Sequence, residues 1–182
     1  MKYIYYDEDN QTKSRILTLI RSLVLVVAAA YCLTLFTCCR VQVDGQSMSP
    51  AIEHEDVLLV NRVAYTFLKP NRFDVISIKK AGDDQVLTKR VIGLPGETVE
   101  IKDGHVYING DQIEDITEIA IISPGIAEKP VTLGKDEYFI LGDNRNSSAD
   151  SRSAGIGVIK SSEIYGKCWL IVSPLHDFGL VH

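Results

Sequence analysis

The chain has 182 residues, 24 of them acidic and 19 basic, for a formal net charge of −5 at pH 7. That length holds one domain and one appendage, and the acidic balance excludes a broad electrostatic grip on nucleic acid. Its 4 cysteines supply no disulfide framework to the domain, because Cys32, Cys38 and Cys39 lie in or beside one apolar stretch and Cys168 stands alone. None has metal-ligand spacing with His54, His105, His176 or His182, which read as surface residues, so neither a metal nor a cofactor is expected.

Residues 1–15 read as a cytoplasmic tail. From Ile16 to Cys39 the chain is apolar, with Arg21 as its only charge. As a helix at ~1.5 Å per residue this stretch would be ~36 Å long, enough to cross a hydrocarbon core of ~30 Å. Arg21 lies near one end, where a long side chain snorkels to the headgroups. The rival reading is a cleaved secretory signal, but the apolar core is long for one and Phe36-Thr37-Cys38 lacks a small-x-small site. Lys13, Arg15 and Arg21 place the N-terminal side in the cytoplasm. The expectation is a single-pass signal-anchor in the lipid bilayer of the cytoplasmic membrane, with residues 40–182 outside.

Beyond Arg40, short strands alternate with turn residues. Val57-Leu58-Leu59-Val60 and Val75-Ile76-Ser77-Ile78 are apolar and β-branched, and Thr98-Val99-Glu100-Ile101 alternates. Asp103-Gly104 and Asn109-Gly110 bracket Val106-Tyr107-Ile108 as tight turns. Val131 to Leu141 and Cys168 to Val172 complete the set, with a short helical turn near Ser161 to Tyr165. The fold class is mostly β and antiparallel, a barrel or packed sheets behind a membrane helix. Glu114 to Lys129 reads as a loop excursion.

Three stretches of this domain carry chemistry. Gly142-Asp143-Asn144-Arg145-Asn146-Ser147-Ser148-Ala149-Asp150-Ser151-Arg152 follows directly on a strand-like run and alternates acids with arginines. A solvated loop has such a composition by default. Asp143 with Arg145 and Asp150 with Arg152, however, can form paired charges that fix a backbone. Ser47-Met48-Ser49-Pro50 admits two readings: Ser49 capping a turn that Pro50 opens, or Ser47 as a nucleophile. In Val86 to Ile92, read as a strand, Leu87, Lys89 and Val91 share one face while Val86, Thr88, Arg90 and Ile92 share the other. A lysine among aliphatics is either an edge-strand charge or a desolvated amine. Desolvation lowers an amine's pKa. To act as a base near neutrality, Lys89 must fall from ~10.4 to ~7–8, which asks the site for ~3–5 kcal/mol. A neutral Lys89 then takes the proton from Ser47, which does not ionise unaided.

In these residues and their order the chain resembles the bacterial type I signal peptidases. The resemblance runs from the membrane helix nearly to the C-terminus, through Ser47-Met48-Ser49-Pro50, Phe73-Asp74-Val75-Ile76, Lys89 through Glu97, and Gly142 through Arg152. It implies a signal-peptidase-like β-rich domain and a serine endopeptidase that removes signal peptides from exported preproteins at the outer membrane face. By the same resemblance Ser47 is the nucleophile, Lys89 the general base, and Ser148 the hydroxyl that orients the amine. Asp143, Arg145, Asp150 and Arg152 hold the framework, and Arg90 pairs with one of those aspartates. Small side chains at P1 and P3, as in Ala-x-Ala, are the implied substrate preference, with the peptide extended along a strand edge. The compact single-anchor type of Gram-positive bacteria is the nearest in form, since the extra domain and second membrane helix of some members are missing.

Two positions depart from the pattern. Gly45 stands where some members carry a serine that completes the oxyanion hole, leaving the Ser47 N–H as the donor to name. Phe73 replaces a frequent glycine. Met48, Tyr65, Phe67 and Leu68 either rest against lipid or pack as core. Two other functions fit parts of the chain. A tethered β-domain that binds exported partners would not need both Ser47 and Lys89, and a self-cleaving repressor would carry a DNA-binding domain in place of the membrane helix.

Overall fold

The computed structural model describes residues 5–80, 85–117 and 119–181, in two units, one ending at Thr37 and one beginning at Cys38. The first is helix α1 (Tyr5–Thr37). Its span Thr12–Cys32 is long and apolar enough to cross a membrane, and the protein buries none of it. Leu19 and Leu25 are 69% and 70% exposed; apolar side chains left open in this way suit a hydrocarbon environment and not water. The helix stops before Cys38 and Cys39, which open a strand. Cys39 packs against the core of the second unit, a role that apolar composition alone cannot distinguish from a last helical turn.

The second unit is built from strands. In chain order they are β1 (Cys38–Gln42), β2 (Val57–Asn61), β3 (Val75–Lys79), β4 (Val86–Gly93), β5 (Thr98–Lys102), β6 (His105–Ile108), β7 (Asp111–Gln112), β8 (Val131–Thr132), β9 (Glu137–Leu141), β10 (Ile159–Lys160), β11 (Ile164–Ser173) and β12 (Gly179–Leu180). A one-turn helix α2 (Ala64–Phe67) and 3-10 turns at Gly125–Glu128 and Ser161–Glu163 interrupt them. The larger sheet has the order β1-β2-β11-β3-β4-β9-β10, with β12 beside β11, and the smaller one runs β7-β6-β5-β8. The described pairings are antiparallel. Asp103-Gly104 and Asn109-Gly110 each take positive φ at both residues, the backbone a two-residue hairpin turn requires.

Strands β3, β4 and β9 lie inside the larger sheet and are covered on both faces. On one face Ile92, Phe139 and Leu141 meet Val99, Ile101 and Val106 of the smaller sheet in a shared core. On the other, Ile76, Ile78, Val91 and Ile140 pack together. The register sets Lys89 opposite Ile76 and Arg90 opposite both Val75 and Leu141, so the lysine shares the Val91 face and the arginine lies on the other. A third cluster gathers Met48, Ile52, Leu58, Val60 and Cys168.

The segment from Glu114 to Lys129 is less free than its composition implies. Ile121 and Ala127 are buried in the core shared by the two sheets, and Ile126 N–H donates to the Arg152 carbonyl at 2.9 Å. These anchors fall in the short apolar runs Ile119-Ala120-Ile121-Ile122 and Ile126-Ala127, too brief to show a helical or strand period. His54, His105 and His176 are exposed; His182 and the first four residues of the tail lie outside the described residues.

Candidate active site

Ser47 sits in a run of turns between β1 and β2. The residue after it does the holding: Met48 is fully buried, as is Ile52, and both pack with Leu58 and Val60. Ile52 N–H donates to the Met48 carbonyl at 3.0 Å, and Ser49 Oγ donates to Glu53 Oε1 at 2.8 Å. Ser49 is thus spent locally. Met48 is core and not a lipid contact, and Tyr65 is half-buried, donating to Asp74 Oδ2 at 2.9 Å. Phe67 and Leu68 are the exposed members of that group.

Strand β4 brings Lys89 to this turn. Its Nζ lies 2.6 Å from Ser47 Oγ and 3.1 Å from the Thr88 carbonyl, although 42 residues separate the pair in sequence. Lys89 is 3% exposed, with Ile76 across from it in the register. Burial pushes its pKa from 10.5 down to about 8, against the pull of Asp150 and Asp143. The edge-strand reading of this lysine fails on position, because β4 is flanked by β3 and β9.

The loop after β9 is fixed by ion pairs of its own. Arg90 is fully buried and grips Asp143 with two bonds, Nε to Oδ1 at 2.7 Å and Nη2 to Oδ2 at 2.6 Å, while Nη1 donates to the Phe73 carbonyl at 2.9 Å. Asp150 accepts from Arg152 Nε and Nη2 at 2.8 Å each and from Gly142 N–H at 3.0 Å. Asp143 therefore pairs with Arg90 and not with Arg145. The partner of Arg145 is Asp115, which holds both of its terminal nitrogens from the Glu114–Lys129 segment. Two-pronged arginine–carboxylate pairs set orientation as well as distance, and removing either partner of a buried pair is strongly destabilising.

Sequence reasoning missed two contributors. Asp115 is one, a single acid in an unassigned segment. Asn144 is the other: its N–H donates to the Ser47 carbonyl and its Nδ2 to the Gln46 carbonyl, both at 3.1 Å. Through Asn144 the loop ties down the turn that carries Ser47. Its place inside the polar run between Asp143 and Arg145 was the available signal.

Gly142 explains how close these parts come. A Cβ there would lie 2.2 Å from Ser148 Oγ and 2.4 Å from the Ser47 carbonyl oxygen. Ser148 Oγ is buried in this spot without a hydrogen-bond partner, to Lys89 or any other described residue. Gly45 has φ +93° with open space where a Cβ would point, so it is backbone strain, not crowding, that disfavours a serine. Its N–H donates to His54 Nδ1 at 3.1 Å. Phe73 also has a positive φ, 72°, which accounts for a preference for glycine at that point. Among the described residues, no three His, Cys, Asp or Glu side chains gather as a metal set.

A serine hydroxyl thus lies beside a buried amine of lowered pKa, and the chain is similar to known peptidases. The sequence model of the family described as "Signal peptidase, peptidase S26" matches residues 16–173. Signal peptidase I V of Bacillus subtilis (strain 168) is 38% identical over 67% of this chain and 83% of its own length. Signal peptidase I S of the same strain is 30% identical over 93% and 96% of the two chains. A crystal structure of a signal peptidase I from Enterococcus faecalis V583 is 34% identical, covers 55% of this chain and 97% of that one, and superposes with a TM-score of 0.46. With more than half of its length matched by the family's pattern, the chain belongs to the signal peptidase family, peptidase S26.

Proposed function

We propose that the chain is a membrane-bound serine endopeptidase that removes N-terminal signal peptides from exported preproteins, with Ser47 as nucleophile and Lys89 as general base. One observation carries the reading: a nearly buried lysine amine, its pKa lowered to about 8, stands 2.6 Å from the Ser47 hydroxyl. Neutral Lys89 takes the hydroxyl proton as Oγ attacks the scissile carbonyl. The Ser47 N–H holds the resulting oxyanion, a contact worth roughly 3 kcal/mol in comparable sites. Protonated Lys89 returns its proton to the leaving amine, and water, deprotonated by the same base, hydrolyses the acyl-enzyme. Ser148, buried and uncommitted beside Gly142, is the hydroxyl assigned to orient the amine. Arg90, Asp143, Arg145, Asp150 and Arg152 keep the two loops in place.

The substrate assignment draws on the relatives' names, signal peptidase I, and on membership of the family. Small P1 and P3 residues, as in Ala-x-Ala, complete it. Residues 16–37 anchor the enzyme once in the cytoplasmic membrane, residues 1–15 stay inside, and the domain from Cys38 onward works outside, as Lys13, Arg15 and Arg21 direct. Spheroplasts making the protein should process a preprotein with an Ala-x-Ala site, and added protease should digest the domain from residue 40 onward without lysis. Ser47→Ala should insert normally and process nothing. Processing by Ser47→Ala at the wild-type rate removes the nucleophile, and digestion only after lysis reverses the topology.

A further inference from the structure

We propose that Asn144 is a positioning residue for the oxyanion donor: it fixes the two peptide planes that meet at Ser47 and so sets where the Ser47 N–H points. This rests on the endopeptidase reading above, in which that N–H holds the oxyanion. The side-chain Nδ2 of Asn144 donates to the Gln46 carbonyl and its backbone N–H to the Ser47 carbonyl, both at 3.1 Å. The first carbonyl belongs to the peptide plane before the Ser47 Cα, the second to the plane after it. A peptide unit is rigid and trans, so in the first plane the Gln46 carbonyl and the Ser47 N–H point in opposite directions. A side chain that holds the carbonyl at one end aims the N–H at the other.

Little in the turn itself holds that first plane. Gly45, one residue before Gln46, takes φ +93° with open space where a Cβ would point, and Gln46 is exposed. The Gln46 carbonyl has a second donor, the Ser49 N–H, at a longer 3.3 Å. That bond lies within the turn and moves with it, whereas Asn144 stands 98 residues further along the chain in another loop. Among the described residues no acceptor takes the Ser47 N–H itself, so its direction comes from its own peptide plane.

Asn144 is held from both sides. Asp143 before it is gripped by Arg90, Arg145 after it by Asp115, and its own carbonyl accepts the Ser147 N–H at 3.1 Å. The flanking ion pairs therefore steady the residue that steadies Ser47. Direction matters here because a hydrogen bond weakens steeply as it bends, and a donor already aimed at the developing charge needs no reorganisation during the reaction. Gly45 has no hydroxyl to add a second donor, so the contact depends the more on the aim of the Ser47 N–H. A loss of aim is felt in the transition state and not in the bound ground state.

Cleavage of an Ala-x-Ala signal-peptide substrate by the detergent-solubilised full chain tests this, with kcat and KM read for each protein on the alkaline plateau of its own pH profile. On that plateau a shifted Lys89 no longer affects the comparison. Asn144→Ala removes the side-chain bond and keeps the backbone one. Asn144→Asp keeps the shape of asparagine but has no N–H for the Gln46 carbonyl. Both should lower kcat by about 10- to 100-fold while KM stays within about twofold. A role in packing alone predicts wild-type kcat for Asn144→Asp, and that result overturns the proposal. So does a loss carried by KM. If Asn144→Ala does not fold, Asn144→Asp decides on the same readings; failure of both to fold overturns the proposal, because the side chain then serves the fold. In each case cleavage by the wild type leaves the endopeptidase reading standing. A wild type that cuts nothing removes both.

Discussion

Lys89→Met isolates the free energy of the buried amine. The amine titrates near 10.5 when solvated and near 8 in the folded domain. Below about 8 both states carry the proton, and the fold bears the full cost of burying an ammonium. Between about 8 and 10.5 the unfolded chain still holds the proton that the folded one has lost, so stability rises with pH across that window. The whole rise is about 3 kcal/mol, at ~1.36 kcal/mol per pKa unit. Methionine is similar in length and cannot titrate. The stability of wild type minus Lys89→Met should therefore climb by about 3 kcal/mol from pH 7 to 10.5, while groups common to both proteins cancel. The chain has 1 tryptophan; it is Trp169 in β11, so its fluorescence follows urea unfolding of the domain in detergent. The same deprotonation should give kcat/KM a single rising limb with its midpoint at about 8. Lys89→Arg should be inactive, because guanidinium keeps its proton throughout this range. A stability difference that is flat in pH refutes the desolvated amine, and an active Lys89→Arg ends its role as base.

Gly142→Ala drives a Cβ to 2.4 Å from a backbone carbonyl that cannot swing away. It should cost roughly 1–3 kcal/mol of stability and most of kcat/KM, and wild-type rates would show that Gly142 does not set the nucleophile's position. Phe73→Gly trades about 1–2 kcal/mol of left-handed strain for the packing of a partly buried ring worth about 1–2 kcal/mol. The midpoint in urea should barely move and kcat/KM should hold; a loss of several kcal/mol would show that the ring dominates. Arg152→Gln should raise the midpoint of the kcat/KM limb above about 8, and an unmoved midpoint would show that Asp150 does not need its partner to stay quiet.

Strands β2 to β6 were legible because their residues alternate or run apolar, and the hairpins because Asp-Gly and Asn-Gly carry the positive φ that such turns need. The edges were not. β1 begins with Cys38 and Cys39 at the end of an apolar helix, and β7, β10 and β12 are too short to show a period. In the site, the pair Asp150–Arg152 could be read from adjacency. Adjacency misled for Asp143 and Arg145, because side-chain direction, not spacing, decides. Asp143 lies two residues beyond Leu141, whose register partner is Arg90, so it continues the face on which Arg90 waits. Arg145 then takes its acid from 30 residues upstream, a contact that only the path of the Glu114–Lys129 segment creates.

The ion pairs answer a difficulty built into the lysine's position. Asp143 and Asp150 both pull its pKa upward, while burial pushes it down and wins. An unpaired carboxylate ~7 Å from an ammonium, at an effective dielectric of ~20, attracts it by about 2 kcal/mol. Two such acids, unscreened, would outweigh the net lowering of about 3 kcal/mol that burial leaves and return the amine toward its solvated value of 10.5. Each acid is instead held by a two-pronged arginine, Arg90 on Asp143 and Arg152 on Asp150, so that Lys89 meets two near-neutral pairs. The acids are retained for geometry: Asp150 fixes the Gly142 N–H and Asp143 ties the loop to β4. The arginines let carboxylates hold the loop without returning the amine to its solvated pKa, and so a lysine lowered to about 8 stands in a site crowded with charge.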